Sequence, residues 1–488
     1  MATVPRTVRR SVEEAQCRAA ASRLTTTDIV SLAMRRGNRS WLEVAGSVAI
    51  AVSISVYSVK ADAVDDGDDV VAAALSGIPS AEIYRLENGL QVLVQSIPWQ
   101  SQVGVVINYR IGSRDDPPDL RGLAHLVEHM TYRGSRHLKP YGALALISGD
   151  SGVANGFTSS DRTFYAGLVP SFALPHVLWV ESERMAFTME RFSEASLDAE
   201  KRAVENEYRL RRSAVSQFDA WISQYLFAPN SPYARPLDYG RYTAAVGLDD
   251  VCAFFRDGYR PDNALLVVVG GVDPKAVREQ IELYFGTIEN PRTSFTRKPP
   301  PLVEPKPAHR MRQETAGWEQ LFAARWIIPK LSGKELAALE VLVGILRKRF
   351  ETIVAHRLAE SITVVIEPLE AAWILRIDGK LNLNQLHGPL EFALREELDR
   401  LWSSDLEAAS KPIKDRQVLG EISLLEQPLE LALSSSQWMS TLGRPHDVCG
   451  EIALLRSVSS ADLRALEPRF AHPMFAWLTH VARPPSGN

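Results

Sequence analysis

Along the chain, short apolar runs of strand length alternate with longer stretches in which apolar residues recur every three or four positions. The first pattern predicts strands and the second amphipathic helices. Leu90 to Val94 and Val103 to Tyr109 read as strands separated by a turn. Leu123, Leu126, Val127 and Met130 then follow the i, i+3, i+4, i+7 spacing of a buried helical stripe. Strands are expected around 153 to 168, and a helix over about 172 to 187 with Leu174, Val177, Leu178 and Trp179 in the core. Residues 196 to 212 are rich in helix formers and hold no Gly or Pro. Ser196 is the expected N-cap, with Asp198 and Glu200 in the first turn where the helix dipole favours acids. Leu265 to Val269 is a continuous apolar run short enough for a central strand, and Pro274 to Phe285 is an amphipathic helix ended by Gly286.

The character changes at 289 to 310. Arg297-Lys298-Pro299-Pro300-Pro301, with Pro305 and Pro307, predicts an extended linker over 291–311. The order of elements then recurs from near Arg312: a strand at Leu321 to Ile328, a helix at Gly333 to Arg349, strands at Ile362 to Glu367 and Ala372 to Gly379, and long helices afterwards. At 488 residues the chain is too long for one core. The pattern fits an internal duplication and an α+β fold: domains 81–290 and 312–488, each an antiparallel or mixed sheet covered by helices, enclosing a cleft.

Net charge is −4, so no nucleic-acid footprint is present. Cys17, Cys252 and Cys449 stand far apart and imply no disulfide framework. Near the N-terminus, the basic Met34-Arg35-Arg36-Gly37-Asn38-Arg39 precedes an uncharged, largely apolar run from Val44 to Val59 and the small-x-small site Ala61-Asp62-Ala63. This is the layout of a secretory signal peptide over 34–63, with an uncleaved membrane anchor as the alternative. It predicts an exported, periplasmic mature chain. Residues 1–33 form an upstream extension, disordered or ahead of the true start, and residues 64–80 an acidic flexible segment.

The chemistry concentrates in His125-Leu126-Val127-Glu128-His129. Residues four apart on a helix are neighbours, so His125 and His129 offer two imidazoles on one face, with Tyr132 on the same stripe. An open zinc site needs three protein ligands, and the two histidines supply two of them. Glu128 lies close enough to take a proton from water activated there. The order is H-x-x-E-H, the inverse of the commoner H-E-x-x-H. A third ligand is sought on the 196–212 helix, where Glu200 and Glu207 are seven apart and project within about 20° of each other, while Glu205 points elsewhere. A solvated charged helix is the alternative reading of that segment.

With these motifs the chain resembles the insulinase/pitrilysin family of zinc metallopeptidases, the group that includes the mitochondrial processing peptidases. Leu86-Glu87-Asn88-Gly89-Leu90, Tyr109 to Pro118, Asn155 to Tyr165, Pro232 to Pro236 and Tyr259 to Gly270 carry the likeness beyond the motif. The resemblance implies a single Zn2+ held by His125, His129 and Glu207, Glu128 as general base, and Glu200 as a group orienting a ligand or the water. It implies a zinc endopeptidase acting on peptides or unfolded protein segments, held along the strand containing Asn155, Gly156, Phe157 and Thr158. Asn155-Gly156 alone reads as a turn, and Gly156 stands where many members have alanine. The second part carries no H-x-x-E-H. Active members often have an arginine and a tyrosine seven apart there. In the matching stretch, Phe350 to Ser361, Ile353 and Glu360 occupy those places, with His356 and Arg357 on the helix surface. The alternative is therefore a zinc-retaining, half-active subunit that needs a partner chain, as homodimer or heterodimer.

Overall fold

The computed structural model describes residues 79–211, 213–228, 231–235, 239–291, 309–315, 320–381, 387–471 and 473–480. The expected extension, signal segment and most of the flexible segment and linker lie outside the described residues.

The first half builds a six-stranded sheet from β1 (Glu82–Arg85), β2 (Gln91–Ser96), β3 (Gln102–Tyr109), β4 (Val153–Thr158), β5 (Thr163–Pro170) and β6 (Ala264–Gly270), in the order β1-β2-β6-β3-β5-β4. All neighbours are antiparallel except β2 and β6. Its helices are α1 (Leu123–Met130), α2 (Gly142–Gly149), α3 (Leu174–Phe187), α4 (Glu194–Arg211), α5 (Ala214–Leu226), α6 (Tyr239–Ala245), α7 (Leu248–Gly258) and α8 (Pro274–Phe285). The second half adds β7 (His309–Thr315), β8 (Gln320–Ile328), β9 (Ser361–Pro368), β10 (Trp373–Leu381) and β11 (Met474–His480), in the order β7-β11-β8-β10-β9. Here only β7 and β11 run parallel. Its helices are α9 (Gly333–Ala355), α10 (His387–Ser403), α11 (Leu406–Leu424), α12 (Pro428–Thr441), α13 (Val448–Ser457) and α14 (Ser460–Arg464). Matching β2 through β6 with β7 through β11 reproduces the same order and the same single parallel pair.

The halves exchange helices. The continuous apolar run of β6 is buried on both faces, as a central strand must be. Leu266 and Val268 join Val92 and Val94 in one core, beneath the first half's own helices. Leu265, Val267 and Val269 join Leu93 in a second core shared with the second half, because α12 lies on β3, β5 and β6. The approach is close: a Cβ on Gly104 of β3 would stand 2.5 Å from the Pro428 carbonyl oxygen, so only glycine fits. Reciprocally, α5 sets Phe218, Ile222 and Leu226 against Leu321, Ile327 and Ile374 of the second sheet.

Several expectations need correction. Helix α4 begins at Glu194, because Ser193 is its cap and Ser196 the reciprocal partner: each serine hydroxyl accepts the other's backbone N–H, at 3.2 and 2.9 Å. Trp179 is only partly buried, and α3 instead buries Glu181 and Arg184, whose ion pair of 2.9 Å satisfies both charges. Helix α9 runs on to Ala355, six residues beyond the expected end, because Phe350 and Ile353 continue its buried stripe. His356 caps α9, and Arg357 follows at φ 58°, so both lie in an exposed turn rather than on the helix. Strand β7 starts at His309, inside the span assigned to the linker.

Candidate metal centre

Helix α1 has no side-chain cap of its own at Gly122. Asp116, six residues upstream, takes that role: its carboxylate accepts the backbone N–H of Gly122 at 2.7 Å and of Ala124 at 2.8 Å. Burial pushes its pKa up to about 7, against the pull of those two bonds. Leu123, Leu126, Val127 and Met130 are all buried, which turns the polar stripe of α1 toward α4.

His125 Nε2 lies 3.8 Å from Glu207 Oε1, and His129 Nε2 lies 3.2 Å from Glu207 Oε2. The three donor atoms are all within 4.8 Å of one another. Two donors on a tetrahedral ion at bond lengths of about 2.1 Å stand about 3.4 Å apart, so the spacing fits one divalent ion. All three side chains remain 21–24% exposed, so the cluster keeps one side open to solvent. Glu205 points to solvent, as expected.

Glu200, 1% exposed, supports the ligands from behind. Its carboxylate lies 3.0 Å from His129 Nδ1, 2.5 Å from Arg133 Nε, and accepts the Tyr141 hydroxyl at 3.2 Å. Engaging Nδ1 leaves Nε2 as the nitrogen that faces the ligand gap. Burial alone would lower the pKa of His129, but the two glutamates outweigh it and hold the ring at about 9 without a metal. Burial and the neighbouring His129 push His125 down. Glu207 is held low despite burial by both histidines and Arg211, 2.6 Å away.

Glu128 is 6% exposed, and burial pushes its carboxyl up to about 7. Thr158 Oγ1 donates to its Oε2 at 2.7 Å. Strand β4 thus brings its last residue to Glu128. Gly156 faces the same way: a Cβ there would stand 2.8 Å from Glu128 Oε1 and 2.6 Å from the Tyr132 hydroxyl. Asn155 and Phe157 face away. Asn155 is exposed, and Phe157 stacks on Phe164 at 5.2 Å. The strand runs straight through Asn155-Gly156, and the turn comes after it, between Thr158 and Thr163. β4 pairs only with β5 and is an edge of the sheet. Asp116, Arg133 and Tyr141 were not legible as site residues. Asp116 lies outside the usual cap position, and Tyr141 comes from another helix end.

Residues 91–220 match the family model described as insulinase (peptidase family M16), and residues 245–403 match the model described as peptidase M16 inactive domain, together more than half of the chain. A zinc protease, PqqE, of Helicobacter pylori is 28% identical over 224 residues, 44% of this chain and 49% of that protein. A probable mitochondrial-processing peptidase subunit beta of Schizosaccharomyces pombe is 24% identical over 221 residues, 44% of this chain and 47% of that protein. These matches span about half the length of the curated relatives. Among solved structures, a protease from Helicobacter pylori superposes with TM-score 0.75 at 21% identity, covering 82% of this chain and all of that one. The periplasmic protease PqqL from Escherichia coli superposes at 0.68 and 17% identity, covering 83% of this chain and 49% of that one.

Proposed function

The chain belongs to the insulinase family of peptidases, family M16, and on that premise we propose that it is a zinc-dependent endopeptidase acting on peptides or unfolded protein segments. The observation that carries this reading is the set His125, His129 and Glu207 at metal-ligand spacing beside a buried carboxyl poised near neutral pH. When bound, zinc supplies a Lewis acid that polarises a peptide carbonyl and acidifies water. Glu128 takes the proton and returns it to the leaving nitrogen. Thr158 fixes the Glu128 carboxylate, and Glu200 is a positioning residue that orients His129. An extended substrate pairs its backbone with the open edge of β4, past Asn155 to Thr158, which gives affinity with little sequence demand.

The two units are residues 81–290 and the stretch from His309 onward. Export rests on the basic-apolar-small pattern at 34–63; among the described residues no helix is long and apolar enough to cross a membrane. A second reading has support: the exposed turn at His356 and Arg357 offers no arginine–tyrosine pair, and the S. pombe relative is named as a subunit. A partner chain would then complete substrate binding. The test is hydrolysis of a quenched peptide pool by the zinc-loaded chain and its Glu128→Gln variant. Zinc content should be unchanged and kcat should fall roughly 10²- to 10⁴-fold. Equal cleavage by both proteins removes Glu128 as the base, and activity only on adding a related chain favours the second reading.

A further inference from the structure

A cavity of about 150 Å³ lies between the two halves, where the β4–β5 turn meets the β9–β10 turn. One wall is Thr158, whose hydroxyl holds Glu128, so the cavity begins one hydrogen bond from the proposed base. A peptide laid along β4 would run directly into it.

The cavity is lined by three acids, Asp161, Glu367 and Glu370, and three arginines, Arg110, Arg162 and Arg235. Its three acids are already matched. Asp161 lies 3.3 Å from Arg114 Nε and accepts the Tyr233 hydroxyl at 2.9 Å. Glu370 lies 3.3 Å from Arg114, and Glu367 lies 2.9 Å from Arg376 and 3.4 Å from Arg235. Arg162 is different. It is 6% exposed, and its direct partners are neutral, namely the Gln437 side chain, the Ser436 hydroxyl at 3.5 Å and the ring of Phe164, 4.8 Å from its centroid; the neighbouring Asp161 charge acts on it without forming an ion pair. Burial pulls its pKa down to about 10, so it remains charged at neutral pH. Arg110, on the same wall, has no ion pair among the described residues either. A buried cation with no ion pair is costly unless a ligand supplies one. An arginine fork matches a carboxylate in shape and charge.

We infer that this inter-domain cavity is a carboxylate subsite of the peptide-binding cleft, with Arg162 as its specificity-determining residue. The inference rests on the peptidase reading above. The carboxylate comes either from an acidic side chain or from the C-terminus of a short peptide, and the two sources are separable.

The experiment uses the zinc-loaded full chain and four matched peptides: one carrying Glu, its Gln counterpart, and each with a free or an amidated C-terminus. Cleavage is read as kcat/KM, and binding as peptide anisotropy on Glu128→Gln protein. One carboxylate form should be favoured roughly 10- to 100-fold. Preference for Glu over Gln assigns a side-chain subsite, and preference for acid over amide a C-terminal one. In Arg162→Met the favoured ratio should fall to within about threefold of unity, and the wild-type ratios stand even if that variant fails to fold. Cleavage of all four peptides with equal kcat/KM overturns the subsite and leaves the peptidase. Selective binding with no cleavage by the wild type overturns the peptidase and leaves the subsite.

Discussion

Helices α1 and α4 of the first half correspond in chain order to α9 and α11 of the second; α1 and α4 bring histidines and acids together, whereas the α11 acid Glu421 meets His446 from the loop between α12 and α13. In the first half the cluster is open. His125, His129 and Glu207 keep 21–24% of their side-chain surface, and one donor atom from each lies within 4.8 Å of the others. In the second half it is sealed. His446 and Glu421 keep 4% and 7%, and both nitrogens of His446 are engaged, Nε2 by Glu421 at 2.7 Å and Nδ1 by the Ser434 hydroxyl at 2.5 Å. Glu451 is closed off by Arg444, 2.5 Å away, and Gln417 bonds the Glu340 carbonyl at 2.9 Å. The helix lengths follow. α1 has eight residues and one apolar stripe, whereas α9 has 23 and is buried on nearly all sides between Leu336 and Leu346, because α10, α11, α13 and α14 pack around it. The same framework therefore yields a candidate site or a polar plug, depending on whether the donors are left facing one another across space or are satisfied within the protein.

The largest effect should separate the two clusters by stability. His446→Leu leaves the Glu421 carboxylate buried without its partner and should lower the unfolding free energy by about 3–5 kcal/mol. His125→Leu removes a partly exposed ring and should change it by no more than about 1 kcal/mol in metal-free protein. Urea unfolding of both variants measures this. Equal losses would mean that the first cluster is also structural.

The next effect sharpens the contrast through metal binding. Glu200→Gln weakens the hold on His129 Nδ1 and should reduce zinc affinity roughly 10- to 100-fold, read by chelator competition. Glu421→Gln, in the corresponding helix of the other half, should leave zinc affinity unchanged. A drop in both would tie the plug to the site.

Much of this contrast was legible in the residues. The spacing of His125, Glu128 and His129 places them on one helical face, and the seven-residue separation of Glu200 and Glu207 places both on the facing helix, one against His129 Nδ1 and one across the gap. The repeat was legible as well, because runs such as Leu265 to Val269 mark strands buried on two sides. What escaped depends on contacts across large sequence separations. Asp116 caps α1 from outside the usual position, and Arg133 and Tyr141 reach Glu200 from a turn and another helix. No periodicity encodes that α12 covers the first sheet and α5 the second, since both read simply as amphipathic segments. Arg162 gains its meaning only from burial beside a cavity.

The exchanged helices differ in how they are seated, and this should give the smallest effect. α5 is held by charge as well as apolar packing: burial raises the Asp219 carboxyl, but Arg235, Arg376 at 3.0 Å and Arg325 at 3.4 Å together keep it well below the usual range. α12 is held by hydrogen bonds, none of these an ion pair: Arg162 donates to its Ser436 and Gln437 side chains, and a buried amide adds two more. The fully buried Asn108 of β3 donates its amide to Ser436 Oγ at 3.1 Å and Ser440 Oγ at 2.8 Å. Ser440→Ala removes one acceptor while Ser436 still takes a bond, so the cost should be about 1 kcal/mol in urea unfolding. Asp219→Ala leaves the nearly buried Arg325 short of one carboxylate but still beside Asp378 at 2.5 Å, and should cost more than Ser440→Ala. If Ser440→Ala costs as much as the Asp219 variant, the α12 seat is a cooperative network with Arg162 and Gln437, and the two halves are joined more tightly on the first sheet than on the second.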